Sequence, residues 1–122
     1  MPEILLIDDN CTQLHLREAV LSEAGFAVGT AGTANQALDL LSDPEVTRSL
    51  RLIVTDHVMP GSSGAGFVRQ LRRFSPAVPV IVISGLAEVE EEYAGLNVSF
   101  LNKPCPPEEL IQRVRTVIQQ VS

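Results

Sequence analysis

The sequence has few of the features that mark several common classes of protein. Its nine lysine and arginine residues face fifteen aspartate and glutamate residues, which gives a net charge of −6 and a pI near 4.8. Nucleic-acid backbones are bound by clustered basic side chains, so this balance argues against direct nucleic-acid binding. Two cysteines, Cys11 and Cys105, are too few for a disulfide framework. They follow the first and last predicted strands, about three strand spacings or ~14 Å apart, which is too far for a bridge.

Signals for membrane insertion and for nucleotide binding are also missing. No basic leader, small-residue cleavage site or long apolar stretch follows Met1, so we expect a cytoplasmic protein without membrane contact. The sequence contains neither a Walker loop nor a G-x-G-x-x-G loop. At 122 residues the chain can bury a core of its own, and we expect one domain over residues 1–122.

Strand and helix patterns alternate five times along the chain, which is typical of βα units that build a parallel sheet. Most of the strand segments are apolar at consecutive positions, as expected for strands buried on both faces. These segments are residues 4–7, 26–30, 52–55, 80–83 and 98–101. The helices are predicted over 12–24, after 33, after 64, over 87–93 and from 106 onward. With right-handed crossovers, we predict a flavodoxin-like three-layer α/β/α sandwich whose five-stranded parallel sheet has the order 2-1-3-4-5.

Polar side chains follow four of these strands at their C-terminal ends. They are Asp8 and Asp9, Asp56, Ser84 and Lys103. Ligands bind outside the C-terminal ends of the strands in open α/β sheets, so this edge is the predicted site. Three converging carboxylates repel one another unless a cation lies among them, and oxygen ligands of this kind favour Mg²⁺. Asp56 is the predicted nucleophile toward a phosphoryl group, with Lys103 and Mg²⁺ stabilising the developing charge.

The same residues have structural interpretations that remain open at this point. Asp8 and Asp9 could cap the first helix, and Lys103 taken alone is typical of a solvated surface. Ser84 could cap the helix that follows it, which is compatible with donating its hydroxyl to a phosphoryl oxygen. The coincidence of these residue types at neighbouring strand ends favours the site.

Four motifs occur in order along the chain. They are Asp8-Asp9-Asn10, Asp56-His57-Val58-Met59-Pro60-Gly61 with Gly64 after it, Ile83-Ser84-Gly85, and Phe100-Leu101-Asn102-Lys103-Pro104. Together they resemble the receiver domain of two-component response regulators, over the whole length of the chain. The resemblance implies that Asp56 accepts a phosphoryl group from the phosphohistidine of a sensor histidine kinase or a histidine phosphotransfer protein. It also implies that Asp9, Asp56 and the backbone carbonyl of Val58 hold Mg²⁺, with Asp8 acting through the water shell of the metal.

The resemblance also implies a conformational switch and a lifetime for the phosphorylated state. On phosphorylation, the Ser84 hydroxyl moves toward the phosphoryl group and the Phe100 ring turns inward; a plain core aromatic is the alternative for Phe100. Val58 and Leu86 flank the approach of the hydrolytic water, and because both are apolar we expect slow hydrolysis. The Lys103-Pro104 peptide bond is expected to be cis. Such domains are not conventional enzymes, although they catalyse their own phosphorylation and dephosphorylation.

Two segments depart from the pattern of the family. The stretch from Ser84 to Lys103 is a few residues short, and the loss falls on the fourth helix. Because that helix contributes to the usual dimer face, the oligomeric state is left open. Residues 43–51 form a longer connection than usual, which predicts a surface insertion. Leu14, on a polar flank of the first helix, is interpreted either as a partner contact or as an isolated surface leucine.

The expected function is therefore a phosphorelay receiver, working as a stand-alone relay. A receiver module of a longer hybrid kinase or regulator is the alternative within the family. An aspartate-nucleophile phosphatase is less favoured, because such enzymes usually carry a second aspartate where this chain has Val58. A flavodoxin-type FMN protein is disfavoured because its first strand would lead into a Ser/Thr-rich phosphate loop, not into two aspartates.

Overall fold

A computed structural model describes residues 2–59, 62–74, 77–85 and 89–121 of the chain. In chain order the elements are β1 (Ile4–Ile7), α1 (Cys11–Glu23), β2 (Val28–Ala31), α2 (Ala34–Leu41), α3 (Pro44–Ser49), β3 (Leu52–Asp56), β4 (Val58–Met59), β5 (Ser62–Ser63), α4 (Gly64–Phe74), β6 (Val80–Ser84), a 3-10 helix (Val89–Tyr93), β7 (Val98–Asn102) and α5 (Pro107–Val121). β4 and β5 form a short antiparallel pair directly after β3.

The five long strands form one parallel sheet in the order β2-β1-β3-β6-β7. Counted without the short pair, this is the order 2-1-3-4-5, so the predicted flavodoxin-like fold is confirmed. The register places Asp56 beside Ile83 and Ser84 beside Asn102. The C-terminal ends of β1, β3, β6 and β7 therefore meet at one edge of the sheet.

Helices cover both faces of the sheet. Successive residues of a strand point to opposite faces. Leu5 and Val82 pack with residues of α2 and α4 on one face, whereas Leu6 and Ile81 pack with residues of α1 and α5 on the other. β1, β3 and β6 are buried along their whole length, which explains their consecutive apolar residues.

Side-chain caps set where the helices begin. The Asn10 side chain accepts a hydrogen bond from the Gln13 N–H (3.1 Å) at the start of α1. Thr33 caps α2 in the same way, accepting from the Gln36 N–H at 3.1 Å. The Gln36 side chain accepts a hydrogen bond from the N–H of Gly32 (2.8 Å) and not from that of Thr33, so Thr33 and Gln36 do not form a reciprocal capping box.

Several local expectations are corrected by the structure. β2 begins two residues later than predicted. The connection over residues 43–51 is itself helical, because Asp43 caps α3 by accepting from the Glu45 N–H (2.9 Å) and Val46 is buried. The described part of the helix predicted over 87–93 is a 3-10 helix, and Ala87 lies outside the described residues.

The prediction that Leu14 lies on the surface was wrong. Leu14 is buried against the sheet, because this side of α1 packs on the face that α5 also covers. The exposed leucine of α1 is Leu16, with 61% of its surface accessible.

The structure also bears on three other features of the chain. The Lys103-Pro104 peptide bond is cis, and both cysteines are free thiols. Within the described ranges, no helix combines the length and apolarity needed to cross a bilayer.

Candidate functional site

Three carboxylates meet at the C-terminal edge of the sheet. Asp8, Asp9 and Asp56 each offer one oxygen, and these oxygens all lie within 4.8 Å of one another. Asp8 and Asp9 follow β1 and Asp56 ends β3, and the parallel register of these two strands places their ends side by side. Asp8 and Asp56 are only 1% and 5% exposed, whereas Asp9 is exposed to solvent. The site therefore has two buried acids at its base and one at its mouth.

Two basic side chains lie among these acids. The Lys103 ammonium is 3.0 Å from Asp56 Oδ1, and Arg17 Nη1 is 2.8 Å from Asp8 Oδ2. Each pair offsets part of the repulsion that the converging carboxylates would otherwise feel. Lys103 was predicted here from the sequence, whereas Arg17 was not. The sequence signal for this contact is the position of Arg17 on α1, one turn after Gln13. That side of α1 starts beside β1, which leads into Asp8.

Burial raises the pKa of Asp8 above its ordinary value. The N–H of Asn10 donates to Asp8 Oδ1 (2.9 Å) and opposes this rise, as does the Arg17 guanidinium, while the charge of Asp56 adds to it. Asp8 is therefore ionised at an energetic cost in the absence of a metal. A cation bound beside it would remove that cost, so metal binding and ionisation of this acid favour each other.

Backbone and side-chain donors hold the Asp56 carboxylate. The His57 N–H donates to Asp56 Oδ1 (2.9 Å), the oxygen that also contacts Lys103. Ser84 is buried at the end of the neighbouring strand β6, and its carbonyl accepts from the Lys103 N–H (3.0 Å). Three adjacent strands thus position the site: β3 ends at Asp56, β6 ends at Ser84, and β7 leads into Lys103. The backbone hydrogen bonds between these strands fix the spacing of the three residues.

Phe100 lies on β7, the strand that pairs with the Ser84 strand β6. Its ring is partly buried on β7 and meets the ring of Tyr93 edge to face, with centroids 5.4 Å apart and planes at 78°. The predicted roles of Phe100 as a switch and as a core aromatic both fit this position, so the switch stays a prediction.

The predicted water-access residues fall where the structure gives no side-chain description. The backbone of Val58 lies in β4, directly after the site, but its side chain is outside the described part, and so is the whole of Leu86. Pro60 and Gly61 of the second motif also lie outside the described residues.

A buried pair next to Asp56 was not predicted. His57 is 6% exposed, its Nδ1 lies 2.8 Å from the Tyr93 hydroxyl, and its Nε2 lies 3.3 Å from Glu92 Oε2. Residues 57 and 93 lie in separate elements, and no spacing rule joins them. The only sequence signal is a polar ring directly after a buried strand.

The donor set of the acidic cluster fits Mg²⁺. Carboxylate oxygens are hard ligands, and Mg²⁺ is usually held by one or two of them together with waters and phosphate oxygens. No soft ligand belongs to the cluster of Asp8, Asp9 and Asp56. The residues present therefore suit a magnesium ion that retains positions open to a phosphoryl group.

Comparison with known proteins points to one family. The family model described as the response regulator receiver domain matches residues 4–115. The chain is 32% identical over 122 residues to the probable transcriptional regulator ycf27 of Porphyridium aerugineum, a match that covers 98% of this chain and 49% of that protein. It is 29% identical over 124 residues to the phosphate regulon transcriptional regulatory protein PhoB of Escherichia coli, covering 98% and 52%. The chain spans about half the length of these curated relatives.

Solved structures with the same fold match most of the chain. The chemotaxis response regulator CheY4 of Vibrio cholerae superposes with a TM-score of 0.84 at 25% identity, covering 96% of this chain and 98% of that one. A response regulator receiver domain protein from Clostridium thermocellum gives 0.88 at 25% identity, covering 99% and 97%. The signal receiver domain of a signal transduction histidine kinase from Syntrophus aciditrophicus gives 0.83 at 25% identity, covering 100% and 93%.

Proposed function

Because the chain belongs to the response regulator receiver domain family, we propose that it accepts a phosphoryl group on Asp56 from a protein phosphohistidine. The observation that carries this proposal is the setting of Asp56. Its buried carboxylate ends β3 with the Lys103 ammonium 3.0 Å away and with oxygens of Asp8 and Asp9 within 4.8 Å. The donor would be a sensor histidine kinase or a histidine phosphotransfer protein.

In the proposed reaction, an Asp56 carboxylate oxygen attacks phosphorus and the P–N bond to the donor imidazole breaks. The bonding electron pair returns to the imidazole nitrogen, and the product is an aspartyl phosphate. Phosphoryl transfer needs positioning and charge stabilisation more than proton transfer. The Lys103 ammonium and the Ser84 hydroxyl are the side chains proposed to stabilise the phosphoryl oxygens.

Asp9, Asp56 and the carbonyl of Val58 are the groups that would hold Mg²⁺, with Asp8 acting through the water shell of the metal. Bound there, Mg²⁺ would supply positive charge to the phosphoryl oxygens. The contacts of Arg17 with Asp8 and of Lys103 with Asp56 keep these acids close together without the metal.

We propose that the phosphorylated state is read through Ser84 and Phe100. Ser84 lies on β6 between β3, which carries Asp56, and β7, which carries Phe100. Movement of its hydroxyl toward the phosphoryl group would vacate space for the aromatic ring. We further propose that Val58 and Leu86 restrict the hydrolytic water.

The proposed partners are proteins that carry phosphohistidine. The curated relatives are named as transcriptional regulators and are about twice as long as this chain. The net charge of −6 here argues against direct nucleic-acid contact. We propose that residues 1–122 act as one receiver domain in the cytoplasm without membrane contact; the same chemistry serves a stand-alone relay and a module of a longer protein.

Phosphoramidate tests the proposal because its P–N bond resembles that of phosphohistidine. Wild type, Asp56→Asn and Asp39→Asn are incubated with phosphoramidate and Mg²⁺, and the intact mass is measured. Asp39 is an exposed carboxylate on α2, away from the site, and serves as the matched control. We expect one added phosphoryl group on wild type and on Asp39→Asn and none on Asp56→Asn. An equal mass gain in Asp56→Asn would contradict the proposal.

A further inference from the structure

The His57 side chain is held at both ring nitrogens. Nδ1 is 2.8 Å from the Tyr93 hydroxyl, and Nε2 is 3.3 Å from Glu92 Oε2. We assign the proton of the neutral ring to Nε2, because the nearby Glu92 carboxylate can only accept a hydrogen bond. Nδ1 is then the acceptor and the Tyr93 hydroxyl is the donor. In this assignment the two contacts hold the His57 ring in one orientation.

Gly64 makes room for this hydrogen bond. A Cβ at Gly64 would clash with the Tyr93 hydroxyl and would lie 3.0 Å from the Asp56 carbonyl oxygen and 3.2 Å from His57 Cα. The Gly64 N–H also donates to the His57 carbonyl (2.7 Å). Only glycine therefore fits at position 64, because the start of α4 meets the end of β3 and the Tyr93 side chain there.

The helix α4 also anchors the segment that carries Tyr93. Arg69 Nη2 donates to the carbonyl of Glu92 (3.0 Å), and Arg72 Nε donates to the carbonyl of Leu96 (2.8 Å). These contacts hold the 3-10 helix and the turn after it against α4. The segment that carries Tyr93 is thus held in place beside His57, and Tyr93 is only 3% exposed.

We propose that Tyr93 is a positioning residue for phosphoryl transfer: its hydroxyl fixes the His57 ring and, together with the strand hydrogen bond from the His57 N–H to the Ile83 carbonyl (3.1 Å), positions the His57 N–H that donates to Asp56 Oδ1. This inference rests on the proposed function of Asp56. The His57 N–H (2.9 Å) and the Lys103 ammonium (3.0 Å) converge on one oxygen of Asp56. Two donors on one oxygen fix the rotation of the Asp56 carboxylate about its Cβ–Cγ bond. This rotation determines which lone pairs face an incoming phosphorus atom.

The same tyrosine joins the phosphoacceptor to the switch aromatic. The Tyr93 ring meets the His57 ring at a centroid distance of 5.7 Å and the Phe100 ring at 5.4 Å. Tyr93 therefore contacts both residues from α4's side of the sheet, on a route that does not pass through Ser84. Tyr93 is therefore a single side chain that links the surroundings of Asp56 to Phe100.

The substitution Tyr93→Phe tests the proposal because it removes the hydroxyl and keeps the ring that packs on Phe100. We expect the phosphorylation rate at saturating phosphoramidate to fall about three- to tenfold, the factor that corresponds to one net hydrogen bond. The donor concentration at half-maximal rate and the Mg²⁺ affinity should stay as in wild type. Ser49→Ala is the matched control, because it deletes a partly buried hydroxyl hydrogen bond to Pro2 (2.8 Å) at the opposite edge of the sheet. That variant should phosphorylate at the wild-type rate.

A second background shows whether Tyr93 acts through His57. In His57→Phe there is no Nδ1 to hold, so adding Tyr93→Phe should leave the rate unchanged within about 1.5-fold. An equal fall on adding Tyr93→Phe in both backgrounds would overturn the proposal, as would a wild-type rate for Tyr93→Phe alone.

Nitrogen NMR of the unphosphorylated full chain keeps the test independent of the reaction and of the folding of His57→Phe. We expect a protonated Nε2 and a hydrogen-bonded Nδ1 on His57, and in Tyr93→Phe a shift of both Nδ1 and the His57 backbone amide. His15, the other histidine, is exposed and serves as the internal reference. Unchanged His57 signals in Tyr93→Phe would overturn the inference even if Asp56 is phosphorylated. Absence of phosphorylation in wild type would instead contradict the proposed function.

Discussion

The Lys103 ammonium lies 3.0 Å from Oδ1 of Asp56, although the two residues belong to strands that are not neighbours. Lys103 follows β7 and Asp56 ends β3, and β6 lies between them. The lysine side chain therefore crosses the C-terminal end of β6 close to Gly85, where an added Cβ would lie 3.7 Å from Lys103 Cβ and 4.0 Å from its Cδ. This arrangement places a fixed positive charge over the residues that are proposed to contact the phosphoryl group.

The substitution Lys103→Ala should separate metal binding from phosphoryl transfer. Removing the ammonium leaves the three carboxylates with more uncompensated negative charge, so Mg²⁺ affinity measured by NMR titration should be no weaker than in wild type. Phosphorylation by phosphoramidate should slow about 10²-fold, because a fixed charge on the phosphoryl oxygens is lost. Beryllofluoride, a phosphoryl mimic, should no longer shift the Phe100 signals. A clear loss of Mg²⁺ affinity in this variant would contradict the role given to Lys103.

The substitution Asp9→Ala should have the opposite profile. Asp9 is the exposed acid of the cluster and has no basic partner among the ion pairs of the described residues. We expect Mg²⁺ affinity to fall by more than about tenfold and phosphorylation to fall with it, as is typical when a metal site loses a ligand. Asp39→Ala is the control for a general change in surface charge. Equal Mg²⁺ affinities in Asp9→Ala and Asp39→Ala would remove Asp9 from the site.

Tyr93 should make the protein less stable at alkaline pH. Burial, with smaller effects from the charges of Glu92 and Asp56, raises the pKa of Tyr93 above its ordinary value of about 10. Above that pH the unfolded chain loses this proton while the folded chain keeps it, so the free energy of unfolding falls as pH rises. Tyr93 is the only tyrosine, and tyrosinate absorbance therefore reports on it alone.

Two measurements check this expectation. In a pH titration, tyrosinate should appear together with the loss of the circular dichroism signal and not before it. Denaturant unfolding should show a steeper loss of stability above about pH 10 in wild type than in Tyr93→Phe. Ionisation of Tyr93 at its ordinary pKa in the folded protein would show that its hydroxyl is accessible to water, contrary to the buried contact with His57.

The lifetime of the aspartyl phosphate should depend on Val58 and Leu86. Hydrolysis needs a water in line with the bond that breaks, and neither of these apolar residues can orient one by hydrogen bonding. The double variant Val58→Asn, Leu86→Glu should lose phosphate several-fold faster, well below the ~10²-fold effect of a fully positioned acid–base group. The surface change Leu40→Glu on α2 is the control. A wild-type half-life in the double variant would show that these two positions do not set the lifetime.

The sheet and the acidic cluster were predictable because buried parallel strands carry a strong local signal. Each central strand is a short run of apolar residues, and polar residues at the ends of such runs meet at one edge once the strand order is known. Asp8, Asp56 and Lys103 could therefore be placed together before any coordinates were known. The resemblance to receiver domains supplied the roles of Phe100 and of the Val58 carbonyl, which spacing alone does not give.

The features that sequence reasoning missed depend on contacts between distant elements. Leu14 has mostly polar neighbours along α1, yet the packing of α1 beside α5 buries it. Arg17 reaches Asp8 only because α1 starts beside β1. The His57 and Tyr93 contact needs the exact approach of α4 and the 3-10 helix, which Gly64 permits. Tertiary packing decides such details, and local propensity contains little information about them.

Asp56, and not another acid of the cluster, is the residue proposed to carry the phosphoryl group. The most direct measurement is residue-level mapping: wild-type protein is phosphorylated with phosphoramidate and Mg²⁺, reduced with borohydride, which converts an aspartyl phosphate to homoserine, and sequenced by peptide mass spectrometry. We predict homoserine at position 56 alone, with unmodified aspartate at Asp8 and Asp9 and no homoserine when EDTA replaces Mg²⁺. Homoserine at Asp8 or Asp9, or a phosphoryl group retained on Ser84 or His57 after reduction, would contradict the account.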